Sequence, residues 1–295
     1  MTRVISISQA IINKSKAYFE LLKFRLSFLV AFSSAFGYLL GYGGTLDVSS
    51  FIIFSIGGFL ISGASVTINQ IMEIPYDAVM KRTAPRPLPT GRIDRQEAVL
   101  YSGILLIAGI WMLAISTNLL TVLLSILSFV LYAFVYTPLK RVGPIAVFVG
   151  AIPGALPPLI GWVGATGAIS HEALIIFGIQ FIWQFPHFWA IAWVADEDYK
   201  KAGFKLLPAG GKKDLNTAIN IMIYTLFLLP LGLLPSYFGL TGITSGVVAT
   251  VCGVLFLSQT FQLMKDNSRK SALKIMFSSF IYLPIVQIAY LIDKI

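Results

Sequence analysis

One cysteine, two histidines and thirteen acidic residues are spread over 295 positions, and charged residues make up only 12% of the chain. A single thiol, Cys252, can form neither an internal disulfide nor a cysteine metal cluster. No polar stretch is long enough to fold as a soluble domain of its own. Low-complexity segments are absent too. What the chain has in excess is apolar surface, 57% of its residues. Runs of about 20 apolar residues, the length that crosses a bilayer as a helix, recur from end to end. Nine are expected, at 25–43, 50–69, 98–115, 119–136, 144–164, 173–194, 217–235, 242–264 and 272–292. The fold class that follows is all-α: a polytopic membrane protein of nine transmembrane helices. The first run is too long for a signal-peptide core and has no cleavage pattern, so it reads as a retained span.

The 22 basic residues give a net charge of +9. With the N-terminus placed inside, 21 of them fall on inner segments. They are the N-terminal tail, the 2–3, 4–5 and 6–7 loops, and the 8–9 loop with the start of span nine. Lys294 alone lies outside. This is the positive-inside pattern, and it accounts for the basicity as topology. Nucleic-acid binding is excluded, because no reading motif accompanies the charge. The expected setting is a bacterial-type inner membrane, with the N-terminus cytoplasmic and the C-terminus outside. Residues 1–24 read as an interfacial segment, and 25–295 as one domain within the lipid bilayer. The outer connections are short and nearly uncharged, whereas the long polar ones, 70–97 and 196–216, are both inner. A site should therefore lie on the cytoplasmic face.

Two stretches there carry chemistry. At the inner end of span two, Asn69, Glu73 and Asp77 follow one another at every fourth position. On a continuous helix they would form a stripe about 12 Å long on one face. Carboxylates and an amide carbonyl are hard oxygen ligands suited to Mg²⁺, which shares its shell with substrate phosphates. Pro75 biases the helix to kink or open between Glu73 and Asp77. Lys81, Arg82 and Arg86 follow, placed to meet phosphate charge. Pro85, Pro87, Pro89 and Gly91 predict an extended, stiff loop, either a lid or a plain connector. Span six contains Trp183-Gln-Phe-Pro-His187-Phe188 and ends in three acids, Asp196 to Asp198. A histidine, a glutamine and a proline inside an apolar span are costly unless they face protein or a wet cavity. His187 and Asp198 could share a helix face roughly 16 Å apart. Span four closes on Tyr136-Thr-Pro-Leu-Lys140-Arg141, and span five, rich in Gly, Ala and Pro, should be a tightly packed, irregular helix. Gln259, Gln262 and Gln287 in the last spans read as inter-helix hydrogen bonds.

Two acidic clusters flanked by Lys and Arg, above an apolar and aromatic interior, describe a clamp for an isoprenyl diphosphate. At these residues the sequence resembles the intramembrane prenyltransferase superfamily, and within it the heme-modifying farnesyltransferases. The likeness rests on Asn69-x3-Glu-x3-Asp77 with Met80-x-Arg-Thr83, on Tyr136-Thr-Pro-Leu-Lys-Arg141, on Pro157-Pro-Leu-Ile-Gly-Trp162, and on Trp183-Gln-x-Pro-His-Phe188 followed by Asp198-Tyr199. It implies nine helices around a central cavity open to the cytoplasm, with Mg²⁺ joining farnesyl diphosphate to both acidic motifs. It also implies heme b as acceptor and water addition to give heme O; a heme A-forming enzyme is a candidate partner that the chain itself does not specify. Asn69, Glu73, Asp77 and Asp198 are then the metal and catalytic set. Lys81, Arg82, Arg86, Tyr136, Lys140, Arg141, His187, Tyr199 and Lys201 are substrate-binding. This chain departs from the superfamily pattern twice. Glu73 replaces the middle Asp, and His187 stands where a helix-six Asp is expected, open to metal, heme iron or a propionate. The competing readings are a sister enzyme acting on a quinone-ring or chlorophyll precursor, and an ion-coupled transporter. A transporter should carry charged or broken-helix sites at mid-membrane in matching halves.

Overall fold

The computed structural model describes residues 7–295. Arg3 and the first six residues of the expected interfacial segment lie outside them. Helix α1 (Ile7–Leu21) precedes the first span, α2 (Phe24–Gly41). The second span, α3 (Val48–Met72), runs into a single turn, α4 (Ile74–Asp77), and the third is α5 (Arg95–Ser116). The fourth starts as α6 (Leu119–Val130), continues as a π-helical turn (Leu131–Tyr136) and ends as α7 (Thr137–Leu139). Then come α8 (Ile145–Thr166) and α9 (His171–Val194), followed by the short α10 (Asp196–Lys201) and α11 (Pro208–Gly211). The last three spans are α12 (Leu215–Tyr237), α13 (Ile243–Asp266) and α14 (Arg269–Ile292). Among the described residues, nine helices are long and apolar enough to cross a membrane. Polar side chains set where several begin. Asp47, Asn118, Ser170, Asp214 and Ser268 each accept a backbone N–H of the first turn, and Asp94 with Glu97 forms a capping box.

Helices α2 and α8 pack backbone against backbone. A Cβ on Gly161 would lie 1.8 Å from the Ser34 carbonyl oxygen, and one on Gly37 1.9 Å from that of Pro158. Small residues here let two backbones touch, which is how helices associate where the hydrophobic effect between them is weak. The prolines of α8 do not make it irregular, as the sequence predicts. Pro153, Pro157 and Pro158 all sit inside one continuous helix. The reason is local: Pro158 has no N–H for the Gly154 carbonyl, and side chains from α9 take its place. Gln180 Nε2 donates to that carbonyl at 2.8 Å and Gln184 Nε2 at 3.0 Å.

On the face opposite the polar loops, Lys294 donates to the carbonyls of Leu39 and Tyr42 at the C-terminal end of α2. Among the described residues the one basic residue on this side therefore complements a helix dipole. Among the glutamines of the last spans, Gln287 does bridge helices, donating to Gln180 at 2.9 Å and Ser33 at 3.1 Å. Gln262 instead bonds Asp266 of its own helix.

Candidate active site

Pro75 breaks span two where the sequence places the break. Glu73 leaves helical geometry (φ −98°, ψ 5°), and the chain resumes as α4 with Asp77 N–H on the Glu73 carbonyl at 2.7 Å. All three oxygen-bearing side chains are buried: Asn69, Glu73 and Asp77 are 1%, 5% and 0% exposed. Each meets a cation. Lys23 Nζ donates to Asn69 Oδ1 at 3.3 Å, Lys140 Nζ to Glu73 Oε1 at 2.7 Å, and Arg86 Nη1 to Asp77 Oδ2 at 2.6 Å. Asp77 Oδ1 is buried with no hydrogen-bond partner among the described residues. A buried carboxylate oxygen is costly when unsatisfied, so this one is an open ligand position. Among the described residues no three His, Cys, Asp or Glu side chains converge. The third member of the cluster is an amide, and the two acids are held by their cations.

The π-helical turn shapes the wall beside this cluster. π-turns displace side chains from the regular helical register and recur at functional sites. Thr137 Oγ1 donates to the Tyr132 carbonyl at 2.9 Å and accepts from Asn69 Nδ2 at 3.1 Å. The Asn69 amide is thereby fixed, with its oxygen toward Lys23. Lys140 lies 4.8 Å over the Tyr136 ring while paired with Glu73. Burial draws the Lys140 ammonium down, but the Glu73 charge and hydrogen bond outweigh it and hold its pKa above the ordinary value.

Thr137 and Lys23 are not among the residues that the sequence singles out. Lys23 resembles any other basic residue of the N-terminal tail, yet it is half-buried in the cavity wall. It links α1 to α2 in a left-handed backbone conformation (φ 44°), uncommon for a non-glycine residue. Burial first, then the charge of Arg86, pushes its pKa down to about 7 against the pull of Glu73. A cation so placed lacks a carboxylate of its own, and an incoming anion would relieve it.

The second acidic stretch meets the first through the loop. Asp198, on α10, accepts from the backbone N–H groups of Lys81 (3.1 Å) and Arg82 (3.2 Å) and pairs with Lys201 at 3.7 Å. Burial raises its pKa, but those N–H groups and Lys201 prevail, holding the carboxyl below its usual range. Arg82, Arg86, Tyr136, Lys140, His187 and Tyr199 line the cavity together with Asn69, Glu73 and Asp77. Asp198, Lys81, Arg141 and Lys201 stand outside the lining, on the rim or behind it. Arg141 is turned to Tyr76, donating to its hydroxyl at 2.8 Å. The 2–3 loop is not extended, as its prolines predict. It winds through successive turns, with Ala84 N–H on Met80, Thr90 on Arg86 and Arg92 on Pro87. Arg92 ties it to Glu20 of α1 at 2.7 Å. The loop thus folds over the mouth, where Met80, Arg82 and Thr83 join the lining.

Below the charged mouth the cavity, roughly 500 Å³, runs into apolar and aromatic walls. Phe188 packs 6.2 Å from Tyr136, and Trp183, Phe280 and Leu283 lie beyond. Leu26 and Leu29 of α2 and Phe280 of α14 line it while remaining exposed on the apolar perimeter. Accessible apolar side chains of the first and last spans thus form one flank of the cavity. An anion grip above a lipid-accessible aromatic chamber suits an amphiphile with a phosphate head and a hydrocarbon tail.

The model of the UbiA prenyltransferase family matches residues 30–283. The chain belongs to this family. It is similar to the protoheme IX farnesyltransferase of Cytophaga hutchinsonii, 56% identical over 283 residues that cover 96% of this chain and 99% of the relative. Solved UbiA-type folds superpose on it across nearly the whole length. A structure of digeranylgeranylglyceryl phosphate synthase gives a TM-score of 0.78 at 22% identity, covering 95% of this chain and 98% of that one. A UbiA homolog from Archaeoglobus fulgidus bound to GPP and Mg²⁺ gives 0.67 at 16% identity, covering 93% and 99%. At these identities the likeness establishes the UbiA fold.

Proposed function

We propose that the protein transfers the farnesyl group of farnesyl diphosphate to a vinyl group of heme b, with addition of water, giving heme O and diphosphate. The observation that carries this reading is the polarity gradient of the cavity, cationic at the mouth and aromatic below. The acceptor is inferred from the farnesyltransferase relative.

The donor set fits a divalent cation, because Asp77 Oδ1 is a buried, unpartnered carboxylate oxygen beside an oriented amide oxygen and a second carboxylate. Asn69, Glu73 and Asp77 would hold Mg²⁺, which neutralises charge on the diphosphate as it leaves. Asp198 is the second rim's contribution. In the arrangement seen it clamps the loop that carries Arg82, and it would serve as a metal ligand only if those two N–H groups released it. Lys23, Arg86 and Lys140 bind the diphosphate, with Arg82, Lys81, Lys201, Tyr199 and Arg141 ordering the mouth. Tyr136 turns its ring to the allylic carbon, and its π face favours developing positive charge. Trp183 and Phe188 exclude bulk water from that carbon. Both apolar substrates enter from the bilayer, past α2 and α14. The mouth and N-terminus face the cytoplasm of a bacterial-type inner membrane. Of the N-terminal segment, the described residues 7–24 lie at its surface, 25–295 form one domain, and a heme A-forming enzyme receives the product.

Replacing Lys23 by Met should raise KM for farnesyl diphosphate by about 10- to 100-fold, the loss of a charge-assisted phosphate contact. Steady-state kinetics at saturating heme b checks this, and an unchanged KM would return Lys23 to a topological role. Thr137→Val keeps the shape but frees the Asn69 amide. We expect a Mg²⁺ requirement raised by about 10-fold or more, measured as the metal concentration at half-maximal rate. The reading itself is tested by incubating protein in lipid nanodiscs with heme b, farnesyl diphosphate and Mg²⁺, beside a quinone-ring precursor. The porphyrin should gain one farnesyl group and one water. A prenylated ring beside unchanged heme b would reverse the assignment of acceptor.

A further inference from the structure

We propose that His187 is the catalytic base for the water that adds to the porphyrin side chain, and that Gln184 holds that water. The proposal rests on the farnesylation of heme b argued above. When the terminal vinyl carbon bonds to the farnesyl carbon, positive charge is left on the inner vinyl carbon. That cation either loses a neighbouring proton, giving an alkene, or takes up water, giving an alcohol. The alcohol requires a water and a proton acceptor inside a chamber walled by aromatic rings.

The structure supplies a pair of groups for this on one face of α9. Ser279 Oγ donates its only proton to the Met276 carbonyl at 2.6 Å, yet lies 2.8 Å from His187 Nδ1. The serine must therefore accept there, so Nδ1 carries the imidazole proton and Nε2 presents a lone pair. Trp183 stacks on the ring at 4.4 Å and Phe280 meets it edge-on at 4.8 Å. Nε2 has no hydrogen-bond partner among the described residues. Gln184, one turn back along the helix, is oriented with equal definition. The Gly154 carbonyl can only accept, so it takes the amide nitrogen at 3.0 Å and leaves Oε1 without a partner among the described residues. Gly154 is also what makes room, since a Cβ there would lie 2.8 Å from the Gln184 amide. Residues three apart share a helix face and rise about 4.5 Å, a span that one water bridges.

The depth is right as well. His187 lies about 10 Å along α9 from its end at Val194. The adjacent Phe188 packs on Tyr136, and Lys140 lies over that same ring. The base is thus one aromatic layer below the diphosphate grip, where the reacting carbons must be. Glu73 and Asp77 do not compete for the task, being paired with Lys140 and Arg86 at the mouth. In the step, the diphosphate leaves with the electron pair of its bond to the farnesyl carbon, and the vinyl π pair forms the new C–C bond. A water lone pair then forms the C–O bond, and its O–H bond breaks with the proton passing to Nε2. His187 is the catalytic residue, and Ser279 a positioning residue that acts through it.

The test is the mass of the prenylated porphyrin made by the full-length protein in nanodiscs, for the unsubstituted chain, His187→Ala, Gln184→Leu and Ser279→Ala. His187→Ala should shift the product ratio from alcohol toward alkene, lighter by one water, by about 100-fold. Added imidazole should restore the alcohol. Gln184→Leu and Ser279→Ala should shift the ratio the same way by smaller factors, and they carry the test if His187→Ala fails to fold. An alcohol fraction unchanged in all three variants, whatever their rates, would overturn the proposal. So would loss of heme b binding by His187→Ala with an unchanged product ratio, the signature of an iron ligand. Heme b left unmodified by the unsubstituted protein would overturn the farnesylation reading and this proposal together.

Discussion

Asp77→Asn is expected to lower farnesyl transfer by about 1,000-fold or more while the protein stays folded. Its side chain is wholly buried, with one oxygen on Arg86 at 2.6 Å and the other unpartnered. Asparagine keeps the shape and one carbonyl oxygen for Arg86, so packing survives. What is lost is the negative charge and one of two hard oxygen ligands, in a site where water cannot replace them. The thermal midpoint in detergent should fall only modestly, because removing one charge of the pair leaves Arg86 partly exposed rather than stranded. Glu73→Gln should act differently. It releases Lys140 from its 2.7 Å partner, so diphosphate binding is partly preserved while the chemical step slows. Asp198→Asn weakens the acceptor for two loop N–H groups, and its first effect should be a loosened loop, read by proteolysis near residues 80–92. Turnover by Asp77→Asn within a few-fold of the unsubstituted enzyme would remove the oxygen cluster from the mechanism.

Gly161→Ala is expected to cost about 3 kcal/mol of stability or more, the upper end for overpacking a core. Most forced contacts relax because a side chain swings aside. Here the new methyl would meet the Ser34 carbonyl oxygen at 1.8 Å and the Tyr38 nitrogen at 2.6 Å, both backbone. Helices α2 and α8 must therefore separate, and both line the cavity. A drop in thermal midpoint should come with weakened binding of substrates that never touch Gly161. Gly103→Ala is the control, since nothing lies within 4 Å of its added Cβ. It should be neutral or raise stability by up to about 1 kcal/mol through helix propensity. Equal midpoints for the two variants would show that the α2–α8 backbones are not in contact at Gly161.

How much of this was legible in the sequence depends on the distance over which each feature is decided. The nine spans follow from local composition, since a bilayer demands about 20 apolar residues wherever it is crossed. The break between Glu73 and Asp77 follows from Pro75, a purely local effect. The oxygen-bearing triplet and its basic neighbours are visible because they lie within one short stretch. Lys23 was not visible, because a cation at the head of a first span serves topology in most membrane proteins. Only the fold brings it to Asn69, 46 positions away. The commitment of Asp198 to the loop spans more than a hundred positions and involves backbone N–H groups, which carry no side-chain signature. The turns at 80–92 escaped because proline marks stiffness without saying whether the chain runs straight or coils. Thr137 and Ser279 escaped because a hydroxyl in an apolar span usually bonds its own helix. Both do so, and only a second bond from another helix reveals that they orient Asn69 and His187.

Metal-dependent capture of the diphosphate by the oxygen cluster can be measured without turnover. A farnesyl thiodiphosphate, which ionises poorly, is titrated into the protein in detergent with Mg²⁺ or with EDTA, for the unsubstituted chain and for Asp77→Asn. Saturable binding that requires Mg²⁺ and is lost in the variant is expected. Binding of equal strength in all four conditions would contradict metal-dependent capture.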